Sequence, residues 1–335
     1  MRSTDPDVLV IGAGVIGLSS ALALLSSGLR VTVYAADPPL RTTSAAAGAL
    51  WGPHLVGADG RVDRWAATTL RRLRELATDP ATGVREADGV AASATTLTEA
   101  PEFAAGAGTL TPSPAPALPP GYRSGWHYSA PVVAMPTYLE YLAEQVRGAG
   151  GQVRIGPPLG DMAEAAQHSA ARVIVNCAGI GAARLVADPD LVPVRGQVVV
   201  VANPGLTDFF VGEREQPGDV TYIFPHGQIA VLGGTHQPGN WSLRPDADTA
   251  RRIVRACAAV EPALADVPVL EHRVGLRPVR PQVRLGTRSI PARGPHPRPA
   301  TGPVWVDNYG HGGAGVTLSW GCALDVRDLV VGLLG

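Results

Sequence analysis

Four consecutive apolar residues, Val8–Ile11, run directly into the glycine-punctuated segment Gly12-Ala13-Gly14-Val15-Ile16-Gly17. A short apolar run closed by glycines reads as a buried parallel strand. Ile16 to Ser27 then reads as a helix stopped by Gly28, and Arg30 to Tyr34 as a second β-branched strand. The chain therefore opens on a βαβ unit. In that context G-x-G-x-x-G is a dinucleotide fingerprint. Gly12 permits the tight turn, Gly14 lets backbone approach a pyrophosphate, and Gly17 allows close helix–strand packing above a helix N-terminus that attracts phosphate. Asp37 stands 25 residues beyond Gly12, close to where a ribose-binding acid is expected, about 20 residues on. A glycine loop without a ligand is the competing interpretation, and the conjunction of strand, helix and acid disfavours it.

The length of 335 residues predicts two domains. A formal net charge of -1 and the lack of a basic run argue against nucleic acid as the main partner. All 28 basic residues are arginine. A chain without lysine excludes pyridoxal Schiff-base chemistry and a P-loop ATPase, so any bound carboxylate must be held by Arg, His or backbone. Cys177, Cys257 and Cys322 form neither a C-x-x-C pair nor a disulfide ladder and read as buried, reduced thiols. Val8 to Leu25 imitates a signal peptide, but Asp5 and Asp7 precede it and glycines interrupt it. No membrane span is expected. His54, His127, His226 and His236 lack metal-ligand spacing, and no metal is expected.

Further along, Arg61–Ala77 reads as a helix with Trp65, Leu73 and Leu76 on one face, and TPSPAPALPP (Thr111–Pro120) as an exposed spacer. Thr137–Gly148 is an amphipathic helix, followed by strands at Val153–Ile155 and Val173–Asn176 that return to the first sheet. From Val192 to Leu285 the pattern changes to short β runs at Gln197–Val201, Thr221–Phe224 and Ile229–Gly233, with one helix near Thr249–Val260. This predicts α/β plus α+β: a Rossmann-like dinucleotide domain and a second, largely antiparallel-sheet domain. The first is discontinuous, residues 1–54, 136–188 and 286–335. The second takes 55–135 and 189–285. The tail from Val304 is strand, glycine-rich turn and helix, and NYGHGGAGVTLSWGCA (Asn308–Ala323) sets five glycines at a helix start. A reduced flavin carries negative charge that such a helix N-terminus stabilises, whereas a nicotinamide gains none comparable, so FAD is favoured.

Besides these loops, the chain carries NCAG (Asn176–Gly179), RGQ (Arg195–Gln197), YIFP (Tyr222–Pro225), GGTHQPGNW (Gly233–Trp241) and GLRPVRPQVRL (Gly275–Leu285). In this order they resemble the D-amino-acid oxidase family, from about Val8 to Asp325. The resemblance implies a two-domain FAD enzyme, often a homodimer, with D-amino acid and O2 as substrates. It implies that Arg277 pairs with the substrate carboxylate, that the Tyr222 hydroxyl binds the same group, and that the Gly313 carbonyl accepts from the amine. The flavin contacts it implies are Gly12, Ala13, Gly14, Val15, Ile16, Gly17, Asp37, Gly48, Leu50, Val153, Gly312, Gly313, Gly315, Val316 and Thr317. Thr42, Thr43 and Ser44 resemble residues near the adenosine phosphates, with a capping role for a following helix equally open. Arg280 and Arg284 are assigned to structure or flavin contacts. His311 is either a mechanistic residue or a turn histidine bonding backbone.

Without the resemblance, a proline-flanked Arg277 reads as a solvated loop residue and Tyr222 as packing. Where animal relatives carry a lid tyrosine, this chain has Gly218 in EQPGDV, so no lid is expected. A D-aspartate oxidase would need a second cation; the position after GGT is His236, so neutral side chains stay ahead. A glycine or sarcosine oxidase shares the loops but not GLRPVRPQVRL. The C-terminus lacks a peroxisomal tripeptide, which implies a bacterial cytoplasmic protein.

Overall fold

A computed structural model describes residues 5–57, 60–101, 104, 106–214, 220–288 and 302–335. In chain order the elements are β1 (Val8–Ile11), α1 (Val15–Leu25), β2 (Val31–Ala35), α2 (Gly60–Leu76), β3 (Val84–Ser93), β4 (Thr111–Pro112) and β5 (Ser124–Val133). Next come α3 (Met135–Gly148), β6 (Gln152–Ile155), α4 (Met162–His168), β7 (Val173–Asn176), α5 (Ala182–Leu185), β8 (Val192–Ala202), β9 (Phe209–Glu213) and β10 (Val220–His226). The chain ends with β11 (Ile229–Gly233), β12 (Gln237–Pro238), α6 (Ala247–Ala258), β13 (Val269–Arg288), β14 (Val304–His311) and α7 (Gly315–Leu334).

The apolar runs β1, β2, β7 and β14 lie side by side with β6 in a parallel sheet, order β6-β2-β1-β7-β14. Val8 faces both Val31 and Val173, and Val173 faces Val304, so strands from three separated stretches interlock in one register. Of these, β1, β2 and β7 are buried along their whole length, and strands buried on both faces need helices on both, which explains why they are rich in Val and Ile. Helix α1 packs under α7, where Ser19 Oγ donates to the Ser319 carbonyl at 3.3 Å. Helix α2 packs on the other flank of α7: Arg64 and Trp65 both donate to the Asp325 carboxylate, at 2.7 Å each.

The second half of the sheet runs β5-β3-β9-β10-β11-β8, antiparallel except for the β3–β9 pair. One long strand joins the halves. Residues 269–279 of β13 pair with β8, residues 284–288 pair with β14, and the register shifts between Val279 and Arg284. That shift spans Pro281 and adjoins Pro278, whose missing N–H groups cannot continue a ladder. It brings Arg277 to one side of the junction and Arg284 to the other.

Two expectations change in detail. Thr111–Pro120 is not wholly a spacer, because Thr111 and Pro112 pair with His127 and Trp126 as an edge strand. Residues 308–311 complete β14, so the turn before α7 is only Gly312–Ala314. Gly218 lies outside the described residues. The three cysteines are free and buried. Among the described residues no helix is long and apolar enough to cross a membrane.

Candidate functional site

A cleft of about 560 Å³ opens where the two halves of the sheet meet. At its parallel-sheet end lies the loop after β1. Gly12 has φ of 114°, and a Cβ there would stand 2.3 Å from the Cys177 carbonyl oxygen, so only glycine fits. Gly12, Ala13, Gly14, Val15 and Ile16 line the cleft, whereas Gly17 does not. A Cβ on Gly17 would meet the Gly12 oxygen at 1.8 Å, so its role is to let α1 approach the loop. Asp37 lines the wall two residues beyond β2. Val153 pairs with Val33 inside the sheet and stays out of the wall; the chain reaches the cleft only after β6, at Pro158 and Leu159.

Thr42, Thr43 and Ser44 all line the cleft, and each side chain has a local partner. Thr42 donates to the Pro39 carbonyl at 2.7 Å and Thr43 to that of Leu276 at 3.2 Å. Ser44 Oγ accepts the Val15 N–H at 3.1 Å, capping α1 rather than a following helix. Gly312, Gly313, Gly315, Val316 and Thr317 carry the wall into α7, whose first turn has no side-chain cap. Thr317 Oγ1 donates to the Gly52 carbonyl at 2.9 Å and accepts the Gly52 N–H at 3.1 Å, which fixes the 48–52 segment. Two cleft residues hold polar atoms that are buried without a partner: Asn308 Oδ1 and His311 Nε2.

At the antiparallel end, Tyr222 stacks on Phe224 with ring centroids 4.7 Å apart. Their rings fill the space that three glycines leave. A Cβ on Gly233 or Gly234 would stand 2.1 or 2.6 Å from the Tyr222 ring, and one on Gly48 would stand 2.7 Å from Phe224. Leu50 lines the same wall. Burial pushes the Tyr222 hydroxyl up, with Arg277 pulling the other way. The Arg277 guanidinium lies against Gly196, where a Cβ would stand 2.4 Å from Nη1, and Nη1 donates to the Thr235 carbonyl at 2.8 Å. Thr235 is itself pinned: its Oγ1 accepts the Gln197 N–H at 2.8 Å.

The arginines of GLRPVRPQVRL divide sharply. Arg280 pairs with Asp188 at 3.0 Å and Asp190 at 3.1 Å, and Arg284 with the buried Asp307 at 3.4 Å. Arg277 has no carboxylate partner among the described residues. Buried Arg195, 2% exposed, spends its charge on Ser242, Arg244, Gln197 and Gln237 oxygens beneath the cleft rim. His54 and His236 flank Arg277, and burial, then the Arg277 charge, holds both rings below the usual histidine range, His54 at about 4. At neutral pH the cation of this end is thus Arg277, a planar fork suited to a carboxylate.

The family model described as FAD dependent oxidoreductase matches residues 7–329. A D-amino-acid oxidase of Rubrobacter xylanophilus is 45% identical, over 96% of this chain and 94% of the relative. A D-aspartate oxidase of Homo sapiens is 33% identical, over 96% and 94% respectively. Among solved structures, a glycine oxidase from Geobacillus kaustophilus superposes with a TM-score of 0.78 at 22% identity, covering 97% of this chain and 94% of that one.

The chain belongs to the FAD-dependent oxidoreductases.

The residues present fit that cofactor on structural grounds. Two helix N-termini, at Val15 and Gly315, reach one cleft side by side, each through glycines that leave backbone exposed. Asn308 Oδ1 and His311 Nε2 are orphaned beside it, the condition expected where a polar ligand completes the bonding. Burial drives the His311 ring down to about 3, so it is neutral there and offers one N–H. Sequence reasoning passed over Thr235, Asn308, Leu159 and Glu213. The first two lie inside segments singled out as motifs, whereas Leu159 and Glu213 have no local signature.

Proposed function

We propose that this FAD-dependent oxidoreductase deaminates D-amino acids oxidatively, giving the 2-oxo acid, ammonia and hydrogen peroxide. The observation that carries the reading is Arg277: a guanidinium without a carboxylate partner among the described residues, set beside Tyr222 in the cleft. Such a fork holds a substrate carboxylate through two parallel N–H bonds, with the phenol as a further donor. The Gly313 carbonyl is assigned to the amine. These contacts fix two substituents of Cα, so only one enantiomer turns its hydrogen toward the cofactor; orientation, not acid–base chemistry, is the protein's contribution. FAD, when bound, supplies the two-electron acceptor for the Cα hydride and passes the electrons to O2. Residues proposed to hold it are the Gly12–Ile16 loop, Asp37, Thr42–Ser44, Gly48, Leu50, and Gly312 to Thr317.

Neutral side chains suit the apolar wall of Leu50, Val211 and Val220. A D-aspartate reading lacks its second cation, because burial and Arg277 keep His236 uncharged at neutral pH. The reading also divides the chain into a flavin unit (1–54, 136–188 and 286–335) and a substrate unit (55–135 and 189–285), and extends to a cytoplasmic homodimer. The test is anaerobic mixing of the FAD-loaded protein with matched D- and L-amino acids. D-Alanine or D-valine bleaches the flavin absorbance and the mirror images do not. Arg277→Ala keeps the yellow colour and loses at least about a hundredfold in kcat/KM, the scale of a charge-assisted bidentate pair. Equal bleaching by both enantiomers overturns the reading.

A further inference from the structure

The cleft carries a second charged group at the antiparallel end. Glu213, the last residue of β9, lines the same cavity as Arg277 and Tyr222. Strand register sets its place. Tyr222 on β10 lies opposite Val211, and Val220 lies opposite Glu213. Residues two apart on a strand share a face, so Val211, Glu213, Val220 and Tyr222 form one patch of the wall. Glu213 stands one step of that patch beyond Tyr222, about 7 Å along the strand. The carboxylate is half-buried, and among the described residues it has neither an ion pair nor a side-chain hydrogen bond. Its backbone is fixed, since its carbonyl accepts the Ala94 N–H at 3.0 Å. Burial raises the carboxyl above its ordinary value, and no cation among the described residues opposes the shift.

A half-buried acid without a partner in a substrate cleft is a cost to folding unless a ligand uses it. We infer that Glu213 is the side-chain selector of this cleft: beside the neutral side chains that the Val211–Val220 wall takes, it admits those that end in a cation, such as D-arginine, and rejects acidic ones. The inference rests on the proposed carboxylate site at Arg277. With the main-chain carboxylate held there, a long basic side chain running along the Val211–Val220 wall brings its charge to Glu213. An acidic side chain meets repulsion at the same point.

The test compares D-arginine, D-norleucine and D-glutamate as substrates of the FAD-loaded wild type and of Glu213→Gln, which keeps the shape and removes the charge. In the wild type kcat/KM is higher for D-arginine than for D-glutamate. In the variant the D-arginine to D-norleucine ratio falls about tenfold and the D-glutamate to D-norleucine ratio rises by a similar factor. Because each ratio is taken to a neutral substrate, a general loss of fold or flavin cancels. Ratios that stay within about twofold of the wild type overturn the role of Glu213 while leaving D-amino-acid oxidation standing. No turnover of any of the three by the wild type overturns the proposed function, and the selector with it.

Discussion

Gly12 and Gly28 both adopt positive φ, 114° and 79°, yet their surroundings differ completely. A Cβ on Gly28 meets nothing within 4 Å, whereas one on Gly12 collides with the Cys177 backbone. Gly28→Ala therefore costs only the left-handed strain, about 1 kcal/mol. Gly12→Ala must move β7 away from the loop, and the expected outcome is loss of bound flavin in the purified protein. Absorbance at 450 nm per polypeptide reads the difference; equal flavin content in the two variants contradicts this account of the loop. The same contrast explains what was legible at this scale. Gly12 and Gly17 announce themselves because a glycine pattern encodes backbone shape directly. Val153 does not line the cleft because strand length, which decides where the chain emerges, is not written in any single residue. Glu213 went unnoticed for a related reason: its importance comes from having uncharged residues, Val220 and Ser93, opposite it across the strands, and pairing is a property of register.

Among the elements, α7 is the one on which both flanks depend. It begins at the cleft and packs against α1 on one side and α2 on the other. Gly321 is where α2 comes nearest: a Cβ there would stand 2.3 Å from the Trp65 Cα. Gly321→Ala must push the helices apart and should destabilise by about 2 kcal/mol, as overpacking does. Gly332→Ala on the same helix meets nothing within 4 Å, and should stabilise by about 0.5 kcal/mol through helix propensity alone. Urea midpoints of the two variants on either side of the wild type check this; a shift of the same sign in both removes the glycine contact as its cause. Periodicity foretold most elements, because β1, β2, β7 and β14 need apolar faces on both sides. It could not foretell β4, whose two residues are exposed and pair only through backbone. Nor could it foretell that β13 serves two neighbours, since that depends on a register shift at Pro278–Pro281.

For the molecule as a whole, the histidines set the response to acid. Burial depresses His54 and His226 to about 4 and His311 to about 3, with His236 shifted the same way. His226 is neutral in its native bond, its Nε2 lying 3.0 Å from the Gly48 oxygen it donates to. An unfolded chain binds these protons from about pH 6.5 downward, while the folded chain refuses them until about pH 4. Stability is therefore full above pH 6.5 and falls across the interval between those values, by about 1.4 kcal/mol per pH unit for each such ring once the unfolded form is protonated. Carboxylates act in a different window. In Asp325 burial raises the carboxyl, but the Arg64 and Trp65 bonds outweigh it; in Asp188, Tyr309 and Arg280 do the same. Held below about 3.9, these groups contribute fully above that value and lose their contribution only as pH falls through their folded pKa. The two windows separate experimentally. Urea unfolding of the FAD-loaded protein at pH 7.5, 6 and 5 should show stability falling over the lower interval, before Asp325 and Asp188 titrate. His226→Gln can keep the bond to Gly48 yet takes up no proton, so its slope over that interval should be shallower by about 1.4 kcal/mol per pH unit. A wild-type stability that is level from pH 7.5 to 5, or a variant slope equal to the wild type's, would mean that these rings are solvated in the native protein and that the wall around Gly48 is looser than its packing indicates.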